Sequence, residues 1–436
     1  MKQLFLCVAA ASLAVLSVSA SANGVADKRL RLASPPTQQS GTAADDQILA
    51  LVRHPDGGLV MGGYEAGHDG VQEGWPKGDA IGFVERRRAN GELIWRRTID
   101  TPGADTVDAI SLAGNGELIV AGRTTGAFPG QVQHGQVDAY VALLAADGSM
   151  QTLVQAGDER PQHPVSVTAT ASGDIVLGGY DDIYIETNYV IDWHNGFLAR
   201  FGRGKDGALE QRWWLRSPIP ANDFIQGVAA VGAHSDDVFV AMQIATSANA
   251  GGGVFVRRVD RRGGVVWTHV LSRAWQDAIG AVTTSADSTL LVAGSTVTAL
   301  GGPALGHSDG FVVAIDPLTG LQRWVQRMNS PDPVWISGLD VDQDGNVHIV
   351  GSTFLADDVN LPRARGYAVG QAWTHAGMPI RRWQTPVSAE PQWASALRIA
   401  AGRTVHDLVV AGAIDGRFGT QPALGRYDRI MFSPQP

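Results

Sequence analysis

Cysteine is almost absent: Cys7 is the one cysteine in 436 residues. It falls inside a pattern of a positive Lys2, an apolar run from Leu4 to Val18 and the small residues Ala20-Ser21-Ala22. That is the pattern of a secretory signal peptide over residues 1–22, with cleavage expected near Ala22. The run is too short for the alternative, an uncleaved membrane anchor. The processed chain then has no cysteine, which excludes disulfides, thiolate-bound zinc, iron–sulfur chemistry and a thiol nucleophile. Charge is also scarce, at 18% of residues. Without Lys2 the chain carries 33 basic and 43 acidic side chains, a net charge of −10. With no basic tail, nucleic acid is an unsuitable partner. No second apolar stretch of spanning length follows, so no transmembrane span is expected after cleavage. The expected location is the periplasm or the exterior, and the expected state a monomer.

Glycine, by contrast, is abundant, with 53 residues, and its distribution reveals a repeat. Strand-like segments end at Gly63, Gly122, Gly179, Gly294, Gly351 and Gly412, and a related segment ends at Ala241. About a dozen residues before each stands a small residue followed by an aliphatic one. These pairs are Ala50-Leu51, Ala109-Ile110, Ser166-Val167, Gly227-Val228, Ala281-Val282, Gly338-Leu339 and Ala396-Leu397. Their spacings are 59, 57, 61, 54, 57 and 58 residues. Each unit reads as four short strands, A to D, joined at A–B and C–D by tight turns such as Asn115-Gly116 and Asp147-Gly148. This pattern predicts an all-β fold, a single seven-bladed β-propeller of four-stranded antiparallel blades over residues 23–436. Blades are expected to begin near residues 46, 105, 162, 223, 277, 334 and 392. The last unit lacks strand D, and the segment Arg29–Leu32 is expected to supply it beside Asp428–Phe432, closing the ring. The small residues of strand A are expected where the inner strands crowd the axis.

The second unit runs from Gly122 and Thr124 through Phe128-Pro129 to Asp138-Ala139-Tyr140-Val141-Ala142. With Gly294-Ser295-Thr296 and Gly351-Ser352-Thr353-Phe354 it resembles the bacterial SBBP-type β-propeller repeat family. That resemblance implies a fold and an exported bacterial setting, and it carries over no catalytic residues. The turn Ala314 to Gly320, followed by Trp324, resembles the tryptophan-docking motif of quinoprotein dehydrogenases and outer-membrane assembly propellers, which implies blade-to-blade docking.

Several short patterns admit a chemical reading beside a structural one. Gly306-His307-Ser308-Asp309-Gly310 fits G-x-S-x-G but lies in a loop entering a strand rather than between strand and helix. Asp340 to Gly345 begins like a calcium loop, yet its twelfth position is Gly351 where a bidentate Glu belongs, and the segment doubles as an A–B hairpin. His68, His134, His194 and His307 fall late in B–C loops with no H-E-x-x-H, so no metal is assigned. The arginine groups Arg86-Arg87-Arg88, Arg257-Arg258 and Arg261-Arg262 read as solvated strand edges.

Function is expected on the face carrying the longer D–A and B–C loops, because binding residues gather on variable loops held by a rigid scaffold. The candidate ligand-binding residues there are Asp46, Asp105, Asp223 and Asp277, just before strand A, with Trp275, Trp335 and Trp393. The bland alternative is that the acids serve strand-start N–H groups and the tryptophans fill blade interfaces. The favoured reading is an exported, non-catalytic binding or protein-interaction module without cofactor, its ligand an unidentified protein or carbohydrate. The alternatives are a hydrolase or lyase acting on a polysaccharide at the channel mouth, and a structural scaffold in a cell-envelope complex. Two carboxylates, or a carboxylate and a histidine, at catalytic separation at the channel mouth would favour the enzyme.

Overall fold

The structure, a computed structural model, describes residues 38–40, 42, 45–67, 80–185, 190–218, 222–245, 252–354, 366–385, 393–415 and 427–433. The expected signal segment 1–22, the strand 29–32 and His68 lie outside them. The described strands form seven four-stranded antiparallel sheets. Their inner strands are Asp45–Arg53, Asp105–Leu112, Gln162–Ala169, Asn222–Ala230, Ala278–Thr284, Val334–Val341 and Trp393–Ala401. Each inner strand packs against that of the next sheet, and the last packs against the first. No helix among the described residues is long and apolar enough to cross a membrane.

The strand that completes the last sheet is not the one expected. Gln38–Ser40 pairs with Arg429–Met431 and takes the outer place assigned to Arg29–Leu32. Three residues with no apolar alternation make this pairing through backbone hydrogen bonds, which a hydrophobic pattern cannot reveal.

Alternation places apolar side chains between sheets. Asp138–Leu144 and Asp309–Ile315 are buried throughout, whereas the outer strands Leu93–Ile99 and Met150–Ala156 are largely open. All seven inner strands share one irregularity, a register shift at Ile48/Ala50, Val107/Ala109, Pro164/Ser166, Ile225/Gly227, Ile279/Ala281, Ile336/Gly338 and Ser395/Arg398. Such a bulge bends the strand and raises its twist, as an inner strand needs. It also explains the glycine signature. A Cβ on Gly122 would lie 1.9 Å from the Thr106 carbonyl oxygen and 2.6 Å from the Tyr140 hydroxyl, so no side chain fits there.

The bulge corrects the seventh repeat pair. Ala50, Ala109 and Ala281 sit opposite Gly62, Ala121 and Ala293, and the residue in the matching place opposite Ala411 is Arg398, not Ala396. The longer irregularity between Ser395 and Arg398 moves the register. An arginine therefore stands where six blades carry a small residue, its Nη1 donating to the Ser337 and Leu397 carbonyls at 3.2 and 3.3 Å.

Tryptophans lock successive blades. Indole Nε1 of Trp95, Trp213, Trp267 and Trp324 donates to the carbonyls of Ala146, Arg261, Pro317 and His375, each in the C–D turn of the next blade. Of the arginines read as solvated, Arg258 acts in the same way, binding Asp237 at 2.8 Å and the Pro317 carbonyl of the next blade at 3.1 Å. Arg86 is buried within its own blade, paired with Asp56 and donating to the Arg87 carbonyl at 2.9 Å. Their guanidinium groups satisfy turn carbonyls that the blade contacts remove from water.

Candidate active site

The third blade differs from its neighbours in its B–C hairpin. Strands Ile175–Ile185 and Val190–Arg203 continue their pairing as far as Ile185 and Val190, beyond the usual end of the sheet on the long-loop face. This places His194 directly across from Asp182, while on the other side of the same strand His163 lies across from Tyr180. Direct cross-strand neighbours have Cβ atoms about 5 Å apart, so side chains of this length meet.

One carboxylate joins two imidazoles. Asp182 Oδ2 lies 2.8 Å from His163 Nε2, and Asp182 Oδ1 lies 2.9 Å from His194 Nδ1. Arg123, from the second blade, approaches His163 Nδ1 with Nη1 at 2.7 Å. Tyr180 stacks on His163 at 4.7 Å, and Tyr180 and Phe224 wall His194 at 5.3 and 4.8 Å. The Asn222 side-chain oxygen accepts the His194 backbone N–H at 2.7 Å. Burial pushes the Asp182 carboxyl up, but the hydrogen bonds from the two histidines oppose it, and the carboxyl is lowered to about 2. Burial pushes His163 below the usual imidazole value, against the pull of Asp182.

Asp182 and His163 are buried, whereas the His194 side chain is 21% exposed. A histidine that gives its Nδ1 proton to a carboxylate presents Nε2 as a proton acceptor, the arrangement used in general acid–base catalysis. The expectation of a binding module without catalysis is corrected here. The third blade brings a carboxylate and two histidines together at hydrogen-bonding distance, the pairing that favours an enzyme, though in its own hairpin and not among the residues lining the axial cavity.

The four predicted acids occupy a different place. Asp46, Asp105, Asp223 and Asp277 are fully buried at the starts of the inner strands, and each carboxylate is bonded to loop backbone or hydroxyl groups. Asp46 accepts from Thr42 Oγ1 at 3.1 Å, and Asp105 from the N–H and hydroxyl of Thr101 at 2.6 and 2.9 Å. Asp277 accepts from Ser272, the Val297 N–H and Thr298, and Asp223 from the Gly196 N–H at 3.3 Å. Burial raises the carboxyl of Asp105, and it raises that of Asp223 to about 6. Trp275 is 44% exposed in the loop before the fifth inner strand. Trp335 is half-buried opposite Ser352, and Trp393 opens the seventh inner strand opposite Asp415.

The other histidines bond within their own blades, His134 to Asp138 and His307 to the Ser308 carbonyl. Ser308 donates to the Val334 carbonyl at 2.9 Å, in a loop before a strand and not at an elbow. Asp342 accepts from His348 and Asn346, each at 2.9 Å, inside the A–B hairpin. Among the described residues no group of three or more His, Cys, Asp or Glu side chains is placed to hold a metal. An axial cavity of 740 Å³ is lined by the ends of the seven inner strands and by A–B turn residues such as Pro55, Gln343 and Arg403. It thus reaches the face opposite the long loops.

No protein-family model matches the chain, and no curated protein matches it. The assignment to the SBBP-type repeat family is therefore withdrawn. Its glycine position has a local cause, the bulge and the ring beneath it, that any blade built this way would share. Solved structures similar in shape include a PL25 ulvan lyase at 12% identity, covering 91% of this chain and 96% of that one with a TM-score of 0.49. They also include the polysaccharide lyase Uly1 at 10% identity, covering 89% and 90%, TM-score 0.47. A third is Sqt1 from Chaetomium thermophilum at 11% identity, covering 90% and 97%, TM-score 0.44.

Proposed function

We propose that the chain is an exported enzyme that cleaves a polysaccharide by β-elimination on the long-loop face of the third blade, with His194 as the general base. The observation that carries this reading is the partly exposed His194 imidazole held through Nδ1 by Asp182. Glycoside hydrolysis ordinarily requires two carboxyl groups flanking the bond, about 5 to 9.5 Å apart. Here the carboxylate of the cluster is committed to two imidazoles. β-Elimination needs one base to remove the proton beside a uronate carboxyl, and a single oriented histidine supplies it. Trp193, adjacent to His194 and 44% exposed, offers an aromatic face of the kind on which sugar rings stack.

The test is incubation of the processed chain with a panel of uronate-containing and neutral polysaccharides. Ultraviolet absorbance of the new unsaturated uronide and release of reducing ends are followed together. Both signals should rise, and His194→Ala should lose about 10²- to 10⁴-fold in rate. Reducing ends without ultraviolet absorbance identify a hydrolase instead. Turnover unaffected by His194→Ala removes the site from the reading.

A further inference from the structure

We infer that Arg123, acting through His163, is a positioning residue that decides which imidazole of the pair serves as the base. The inference rests on the reading of the site given above, and its geometry is independent of any substrate. A guanidinium only donates hydrogen bonds. With Arg123 Nη1 at 2.7 Å, His163 Nδ1 must therefore be the acceptor, and the ring's proton sits on Nε2. That proton goes to Asp182 Oδ2 at 2.8 Å. Both nitrogens of His163 are thus committed. The other carboxylate oxygen, Oδ1, is left for the Nδ1 proton of His194, whose Nε2 is then the one available to a substrate.

The second blade supports this arrangement from behind. Arg123 Nε lies 3.7 Å from Asp108 Oδ2, and Asp108 is itself held by the Thr106 hydroxyl at 2.8 Å. Asp108 is the bulged residue of its inner strand, so the bulge that every blade shares aims this carboxylate. The groups facing His163 are Arg123, Asp108, Asp182 and the stacked ring of Tyr180. A second proton on His163 would have to displace the Arg123 donor and stand beside its positive charge. That cost keeps His163 neutral, so the charge of Asp182 acts on His194. Without Arg123, His163 is free to become an imidazolium paired with Asp182, and the two histidines compete for one carboxylate.

The experiment combines imidazole nitrogen NMR on the processed chain with kinetics. At neutral pH, wild-type His163 is expected as the singly protonated Nε2–H form, and Arg123→Met should populate Nδ1 protonation. Arg123→Met should lower kcat by about 10- to 100-fold, the usual effect of losing a partner behind a reacting group, with KM little changed. His163→Leu should do the same. His163→Gln, which can accept from Arg123 and donate to Asp182, should recover about ten-fold over His163→Leu. A wild-type His163 protonated on Nδ1, or a His163→Gln variant no better than His163→Leu, overturns the inference. If the wild type turns over no polysaccharide, the proposed activity falls while the NMR measurement still decides the relay.

Discussion

Between pH 7.5 and 5 two carboxyls of this protein should contribute more stability at the lower pH, the reverse of the trend expected of salt-bridged carboxylates. The acids are Asp340, half-buried at the axial cavity, and Asp223, fully buried, and neither has a cation at bonding distance. Asp340 is held by the N–H groups of Val341 and Ala401 at 2.8 Å, and burial raises its carboxyl to about 6. Burial likewise raises the Asp223 carboxyl to about 6. In the unfolded chain both titrate near 3.9. A folded value above the unfolded one means that the stabilisation is complete below pH 3.9 and is lost as the pH rises through 6. Over the interval from 7.5 to 5 each carboxyl contributes about 1.4 kcal/mol, while His163, held neutral in the fold, acts in the opposite sense as its unfolded counterpart takes up a proton near 6.5. Asp182, held at about 2, also has the opposite sign, and its stabilisation disappears only as the pH falls below 3.9. Urea unfolding at pH 5 and 7.5, with Asp340→Asn as comparison, measures this directly. The variant keeps an acceptor for one backbone N–H and should reduce the difference between the two pH values by about 1.4 kcal/mol. A variant whose stability changes between the two pH values just as the wild type's does would show that the Asp340 carboxyl is ionised in the fold.

Two further substitutions test how blades are joined and how buried charge is held. Gly320 has φ of +71° and its Cβ would lie 2.7 Å from the Trp267 indole, whereas Gly345 has φ of +82° with nothing nearer than His375 Cβ at 3.7 Å. Gly345→Ala should cost about 1 kcal/mol for the left-handed backbone alone. Gly320→Ala should cost about 1 to 3 kcal/mol more, because the docked indole must also move. Equal shifts in Tm would mean that Trp267 yields freely. Arg327 is buried against Asp309 at 3.1 Å and donates to the Pro303 carbonyl at 2.7 Å. Arg327→Met should destabilise by about 3 to 5 kcal/mol, since a buried carboxylate is left without its cation. A loss under about 1 kcal/mol in denaturant unfolding would place that charge pair in contact with water.

The repeating geometry was legible in the sequence wherever one steric constraint recurs in each blade. Gly122, Gly179 and Gly294 are forced by a bulge on one side and an aromatic ring on the other, so residue type and spacing both record the fold. Where a position is held by backbone pairing alone, as at Gln38–Ser40, nothing in the residue types marks it, whereas the apolar alternation of Arg29–Leu32 resembles a strand. Arg398 was misplaced because the length of a bulge is set by packing and does not alter the small-residue pattern beside it. The site was hidden for a different reason. His163, Asp182 and His194 come from three strands and are joined across sheet pairings, with Arg123 arriving from another blade. His194 drew notice as a loop histidine, but nothing local distinguishes it from His134 or His307. What separates them is the third blade's longer hairpin, which places a carboxylate opposite the imidazole. The acids at the start of four inner strands illustrate the converse. Their period was real, yet it reflects a repeated structural duty, because a buried carboxylate that accepts from a Thr or Ser four or five residues back is how this chain pins a D–A loop. In a repeat protein, chemistry is therefore better sought where one blade departs from the others than where all agree.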